Sequence, residues 1–595
     1  MKKNLLLILL ISTRYALSQP VVDIAIGTST NQFSDSYGPY TNLWYDVNLN
    51  SIFFAHRSNV QAGWPTAGFV IYDYSTDGGI TWISDQRMAY QDTFNIMRAR
   101  FPQAVIYNPP GNTVPDSAFV TTFGPANDGT SFGFYFNGTV PLGSAVPVQT
   151  SYAHSSIGST IGIAQSGMIV KNTGTTWWAA HGLSPSDYND TIHLSKGVFN
   201  NATRMFDYSF QKIYVPVCTG TSGSKLFYNQ AVAFNDAGDV GYVAVIGNDW
   251  VCSSQPLDTT MGVIVYRTTD GGITWNHAAD ITLSMLDPLL LNNGSKYQSG
   301  DRLDIGVDKN NTLHVLITVL PYQPGNAQSS IYPPGSWGLF DIEFNIAADA
   351  CLIARPETFT GIYGVAGSTT DPEILEENQL QFSRSWDGSK VFFTWFDTDT
   401  MIYGPGLNNF PDMHCRGLDV DLASWSNEFN FTEGTGLPAD GRCAFASTSY
   451  YTINDGANEN VPMVYNAQTG NTGNPVTFHY VGGAAVSGYT IPGNCIQLIN
   501  GIPENDPSNY QLKVSAIYPN PISGKAFIDI SNATGGSVII KITNTLGQEI
   551  SSATYADLHP GKNTLAIDGS KLSKGLYFCT VQTENESVTK MMSVE

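Results

Sequence analysis

The chain has 595 residues, a formal charge of −22 at neutral pH, and 13% charged residues against 12% aromatics and 57 glycines. That acidity, with no basic run, argues against nucleic acid or an anionic membrane surface as a partner, because both would repel it. Few charges, many aromatics and frequent glycine suit a large β-protein with many tight turns.

The N-terminus reads as a secretory signal peptide over residues 1–18. Lys2 and Lys3 precede an apolar run from Leu5 to Ile11, and Ala16-Leu17-Ser18 is a small-x-small cleavage site. The run is too short for an ordinary transmembrane helix. The segment carries Lys2, Lys3 and Arg14 and no acid, so its removal takes the charge from −22 to about −25. No later stretch approaches the ~18 uninterrupted apolar residues of a spanning helix, and no transmembrane segment is expected.

From Trp44 onward, strand–turn–strand patterns recur at 44–54, 104–107 with 118–121, 161–164 with 176–179, 231–245, 303–317 and 381–395. Four-stranded blades closing in a ring produce this rhythm and leave few exposed edges. At roughly 50–70 residues per blade, residues 19–510 predict an all-β propeller of six to eight blades, with seven favoured. Two packed sandwich domains are the alternative. Helical periodicity is scarce, but 370–377, with Pro372 in its first turn, predicts a short capped helix.

Two segments are nearly identical. One reads Ser75-Thr76-Asp77-Gly78-Gly79-Ile80-Thr81-Trp82, the other Thr268-Thr269-Asp270-Gly271-Gly272-Ile273-Thr274-Trp275. An Asp carboxylate at this place can accept the amides of its own turn, and the glycines take positive φ at little cost. Ser75, Asp77, Gly79, Thr81 and Trp82, with Thr268, Asp270, Gly272, Thr274 and Trp275, are therefore expected to hold turns and not to catalyse. Residues 385–390 are a degenerate copy. Both full segments resemble the Asp-box, or BNR repeat, of sialidase-like propellers. The resemblance implies a propeller whose boxes lie at the periphery, away from any substrate.

A sialidase needs three arginines on a carboxylate, a Tyr nucleophile with a Glu partner, and an Asp acid. The Phe/Tyr-Arg-Ile-Pro signature of that family is missing. Its nearest analogue, Arg98-Ala99-Arg100-Phe101-Pro102, follows the first box instead of preceding it. Recognition of an extracellular glycan or protein is thus the leading function, with an Asp-box glycosidase as the alternative, and no catalytic residue is assigned. Trp64, Trp177, Trp178, Tyr450 and Tyr451 are candidates for stacking on a sugar or anchoring a protein, against blade packing as the competing reading. His181 and His193 share a polar segment and read as ordinary surface or core residues. No cofactor or resident metal is expected. The carboxylate pairs Asp397/Asp399 and Asp419/Asp421 suit calcium, but neither completes a loop motif.

Six cysteines lie in the central region, and an even number in an exported module predicts disulfides among 15 connectivities. Sequence proximity suggests Cys218–Cys252 and Cys415–Cys443. No zinc-ligand spacing appears.

Residues 511–595 read as a separate small immunoglobulin-like β-sandwich. Alternating strands at 526–530, 538–542 and 563–567 are broken by turns, one of them ending at Gly547. The opening Tyr518-Pro519-Asn520-Pro521, the strand at Gly575-Leu576-Tyr577 and the final strand with Lys590 follow in order. Together they resemble the type A sorting domain of type IX secretion cargo of Bacteroidota. The resemblance implies the type IX machinery as partner, passage through the periplasm, and a secreted or outer-membrane-surface location.

Overall fold

The computed structural model describes residues 20–31, 41–91, 98–127, 132–144, 149–154, 161–170, 173–182, 191–215, 227–248, 261–283, 286, 289–290, 297–321, 335–345, 347–363, 374–466, 473–498, 512–514, 517–518, 520–532, 536–545, 548–558, 561–583 and 587–594. The chain forms two compact units, residues 1–501 and 502–595.

In the first unit, seven antiparallel sheets of at least four strands are found among the described residues. Their first strands are Leu43–Asp46, Gln103–Tyr107, Ile161–Val170, Phe227–Phe234, Tyr297–Val307, Gln381–Arg384 and Ala444–Thr448. Each first strand touches that of the next sheet, and Ala444–Thr448 touches Leu43–Asp46. The sheets are thus the blades, numbered 1 to 7 here, of a closed propeller. Its strands show why alternation is weak near the axis. Leu313–Pro321 of blade 5 is buried at every position, because blades cover both of its faces. Ile83–Tyr90, at the outer edge of blade 1, mixes exposed and buried residues.

The ring closes with the N-terminal strand. Val22–Ser29 pairs antiparallel with Val476–Gly482 as the outermost strand of blade 7, with Val22 opposite Gly482. Asp23 fixes the seam, accepting a hydrogen bond from the Tyr465 hydroxyl at 2.7 Å and bonding His479 Nδ1 at 2.8 Å. Beyond blade 7 the chain doubles back. Ile491–Pro492 adds to blade 6 through Ser424–Trp425, and Cys495–Leu498 adds to blade 5 through Ala348–Ala354.

Two sequence expectations are corrected here. Ile374–Glu377, expected at the end of a helix, is a strand paired with Thr360–Tyr363. The local cap signal yields to pairing with a partner that periodicity does not reveal. The disulfide is Cys351–Cys495, joining register partners of blade 5 and the returning strand. Cys415 and Cys443 are free buried thiols, not a pair. Proximity in sequence fails because each thiol faces its own partner, the Thr394 hydroxyl for Cys415 and the Ala439 carbonyl for Cys443. Cys218 and Cys252 lie outside the described residues. Burial pushes the Cys415 thiol up to about 12, so it stays protonated and inert. Thiol reagents are expected to leave Cys415, Cys443 and Cys579 unmodified in the native protein and to label all three after denaturation without reductant. Labelling of Cys415 and Cys443 only after reduction would restore the pairing.

The second unit is a two-sheet sandwich. Leu512–Val514, Lys525–Asn532 and Gly561–Asp568 form one sheet; Glu549–Leu558, Gly536–Asn544, Gly575–Gln582 and Ser587–Val594 form the other. Ile528, Ile530, Ile540, Ile567, Tyr577 and Val581 meet in its core. Tyr577 donates its hydroxyl to the Ser573 carbonyl, Leu576 points outward, and Lys590 pairs with Cys579 on the last two strands. Asn520 accepts from both the amide and the hydroxyl of Ser593, pinning the opening segment to the final strand. Tyr518 bridges to Phe527, and the Asn520–Pro521 bond is cis. Pro519 and Gly547 lie outside the described residues.

Candidate functional site

The topology gives the propeller two unlike faces. Within a blade, the first and third connections emerge at one end, the second connection and the link to the next blade at the other. The first end carries mostly tight turns, such as 47–50, 308–312 and 385–389, and is the turn face. The second carries longer segments, among them 58–69, 355–380, 398–411 and 426–443, and is the loop face. Binding groups concentrate on loops held by a rigid scaffold.

Both Asp turns lie on the turn face, since the Gly78 amide bonds the Asn50 carbonyl of the neighbouring turn. Asp77 Oδ1 accepts the amides of Ile80 and Thr81 at 3.1 and 2.9 Å, and Asp77 Oδ2 accepts the Thr81 hydroxyl at 2.6 Å. Ser75 donates its hydroxyl to Asp77 and accepts the Gly79 amide, while the Trp82 indole N–H reaches the Gly79 carbonyl. Asp270 repeats the pattern with Thr268, Gly272, Ile273 and Thr274. Trp275 lays its ring edge against Trp177 and Phe234. Hydrogen bonds from the Thr274 hydroxyl and amide hold the Asp270 carboxyl down to about 2. In the degenerate copy Asp387 accepts from Ser385 and Ser389. These carboxylates are fully engaged by their own turns. Asp77→Ala is expected to cost about 1–2 kcal/mol, the loss of an acceptor for several partly solvated donors. Urea denaturation measures this, and an unchanged midpoint would count against the assignment.

The sequence-predicted aromatics divide. Trp177 and Trp178 are 1% and 0% exposed and belong to the blade cores, so they are not a contact surface. Tyr451 is buried, stacking edge-on to Trp44. Tyr450 lies parallel to Trp44 at 5.7 Å. Trp64 is half-buried on the loop face, edge-on to Phe69. His193 is buried, and the side chain of His181 lies outside the described residues. Three of the carboxylates weighed for calcium serve the backbone, Asp397 accepting from Glu357 and Thr358, Asp399 capping the helix Thr400–Tyr403 and Asp419 closing its own turn, while Asp421 pairs with the Lys309 ammonium.

Sequence reasoning missed an exposed apolar cluster on the loop face of blade 6. Met401 and Ile402 are 89% and 58% exposed, and Tyr403 stacks on Phe410 at 4.5 Å with rings within 10° of parallel. Asp412 and Asp440 lie near enough that, after burial, their charge raises the Tyr403 phenol. Its one sequence signal is apolar residues flanking the Gly404-Pro405-Gly406 break. Three arginines gather on the same face between blades 1 and 2. Arg57 donates to the Ala67 carbonyl and Asn31 Oδ1, and Arg100 to the Ala99 carbonyl. Burial and then the charge of Arg100 lower Arg57, as burial and Arg98 lower Arg100.

Along the axis, the first strands line a narrow cavity with residues such as Met168, Val232, Asp304, Gln381, Phe382 and Tyr450. No arginine is among its described lining. Asp304 accepts the Phe382 amide at 2.8 Å and its neighbour Ile305 at 2.9 Å. Burial nevertheless pushes this carboxyl up to about 7. The folded state therefore holds the proton more tightly than the unfolded chain, whose Asp titrates near ~3.9. This group's contribution is most favourable at acid pH and is lost as pH rises to about 7. The stability of Asp304→Asn relative to the parent is expected to rise between pH 5 and 8, and a difference independent of pH in thermal melts would contradict this.

Residues 516–595 match the family described as the secretion system C-terminal sorting domain. The tail marks the chain as type IX secretion cargo. It implies contact with that secretion machinery, export, and a cell-surface or secreted location. No helix among the described residues is long and apolar enough to cross a membrane. No curated protein sequence matches the chain. Among solved structures it is similar to PorZ, a surface component of the type IX secretion system of Porphyromonas gingivalis, at 12% identity and TM-score 0.32, covering 93% of this chain and 59% of that one. The chain thus spans about three-fifths of PorZ. It is also similar to the α-L-arabinofuranosidase Arb93A of Fusarium graminearum, at 10% identity and TM-score 0.33, over 63% of this chain and 92% of that one.

Proposed function

We propose that the chain is an exported recognition module, an Asp-box propeller that binds a glycan or protein outside the cell through its loop face. A signal peptide over residues 1–18 would start that export. The observation that carries the reading is the exposed Met401, Ile402, Tyr403 and Phe410 cluster. An exposed apolar surface with the partly buried carboxylates Asp440 and Glu433 beside it is the composition of a contact site. Parallel aromatic rings offer a sugar a stacking face, and nearby acids accept hydroxyl hydrogen bonds. The axial cavity supports binding over turnover. Glycoside hydrolysis takes two carboxyls about 5–10 Å apart, and Asp304 is the one carboxylate of the described cavity wall.

The arginines Arg57, Arg98 and Arg100 favour a second reading, an Asp-box glycosidase that clamps an acidic sugar. A glycan array and a pulldown of surface proteins, run beside a panel of chromogenic glycosides, separates the two. Retention without turnover, lost in Tyr403→Ala with Phe410→Ala, is expected. Turnover abolished by Arg98→Ala or Arg100→Ala would replace binding with catalysis.

A further inference from the structure

Blade 5 carries a buried group of ionisable side chains that neither face uses. His314 opens its second strand, Leu313–Pro321, just after the turn 308–312. Asp341 and Glu343 lie two residues apart on the third strand, Gly338–Phe344, and so share one side of it, with Glu343 opposite His314 in register. One ligand atom from each of the three lies within 4.8 Å of the others. His314 Nδ1 is 2.7 Å from Asp341 Oδ2, and the two side chains are 1% and 0% exposed. Phe382 and Phe393 wall the imidazole in.

Two features set this group apart from an ordinary buried ion pair. Asp341 Oδ1 is buried without a hydrogen-bond partner, a state that costs folding energy unless something outside the chain satisfies it. The charges also do not balance. Asp308 Oδ2 stands 3.9 Å from Nε2 on the far side of the ring, so three carboxylates surround one imidazole. The other buried histidine group, His56 with Asp73 and Asp85, shows the contrast. There His56 bonds the Arg57 carbonyl and Asp73, while Asp85 accepts from Thr28, and the network closes on itself.

We propose that His314, Asp341 and Glu343 form a binding site for a divalent transition-metal cation such as Zn²⁺ or Mn²⁺. One imidazole nitrogen and two carboxylates are a donor set such ions accept, and Glu343, which is only partly buried, leaves a position for water. The ligand atoms need only draw to roughly 3–3.5 Å of one another around a metal with bonds near 2.1 Å. Ligation through Nδ1 fixes the proton on Nε2, where Asp308 receives it and orients the ring. The ion also offsets the excess negative charge. The site lies at the turn-face end of blade 5, apart from the loop-face cluster, and does not depend on the function proposed above.

The test uses the full-length secreted chain, stripped with chelator and then dialysed against Zn²⁺, Mn²⁺ or Co²⁺. One equivalent of metal per chain by elemental analysis is expected, with a rise in melting temperature and, for Co²⁺, visible absorption bands of a nitrogen–oxygen site. Glu343→Gln, a nearly isosteric change at a partly buried position that should fold, is expected to weaken binding at least tenfold. Asp308→Asn should weaken it by 10–100-fold, the usual effect of removing a partner of a ligating histidine. Uptake below a tenth of an equivalent, or uptake unchanged in both variants, would overturn the site and leave the group a proton-sharing network.

Discussion

Deleting residues 20–31 is expected to abolish the cooperative fold of the propeller. The segment supplies the outer strand of blade 7 and the Asp23 contacts that join the two ends of the ring. Without it Val476–Gly482 becomes an open edge beneath the buried side chains Val476, Phe478 and Tyr480, and unpaired edges invite aggregation. A ring relies on every blade pressing on two neighbours, so the loss is shared by blades 1 and 7. It is comparable to the whole stability of a domain, about 5–15 kcal/mol. Circular dichroism melts and size-exclusion chromatography of the truncated chain read the outcome. A peptide of residues 20–31 added in trans should restore part of the transition. A monomer that melts within a few degrees of the parent would refute the seam.

Arg384→Met is expected to cost roughly 3–5 kcal/mol, as breaking a buried charge network does. Arg384 is 1% exposed and ends the first strand of blade 6. Its guanidinium donates to the Val307 carbonyl of blade 5 at 2.7 Å and to Asp236, in the first turn of blade 4, at 3.1 Å. It also lies over the Tyr451 ring near blade 7. One side chain thus ties four blades at the turn face. Methionine fills much of the volume but leaves those acceptors without a donor. Chemical denaturation measures the loss. Arg384→Lys should recover little of it, because one ammonium cannot serve three directions at once. A variant within 1 kcal/mol of the parent would show that water replaces the guanidinium.

Much of the ring is legible in the sequence. The six hairpins read from alternating strands and polar turns are the first two strands of blades 1 to 6. They stand out because five of their six connections are short, that of blade 2, 108–118, being the exception. Blade 7 escapes detection because the small pair Ile453–Asn454 and Glu459–Asn460 interrupts its first connection, and because its fourth strand comes from the other end of the chain. Nothing local marks Val22–Ser29 as the partner of Val476–Gly482. The same limit explains the disulfide: Cys351 and Cys495 are 144 residues apart and meet only through the pairing of the returning strand with blade 5. The Asp turns are legible because every donor and acceptor lies within eight residues. The aromatic pair Trp177–Trp178 misleads because adjacent strand residues face opposite sides, and here both sides are core. The blade 5 group is invisible beforehand, since His314 and Asp341 are 27 residues apart and only strand register makes them neighbours.

The returning segment decides where tension enters the molecule. A protein held at a surface by its C-terminal tail is pulled at Leu498, the last described residue of the propeller. Directly behind that point Cys495 is bonded to Cys351 in the middle of a strand of blade 5. A tug is therefore passed by a covalent bond into a blade remote from the seam, and the non-covalent clasp of Val22–Ser29 on Val476–Gly482 is spared the load. Reduction of that single bond would leave only the hydrogen-bonded pairings of Cys495–Leu498 with blade 5 and Ile491–Pro492 with blade 6 to hold the load before it reached Val476–Gly482, the partner of the N-terminal strand.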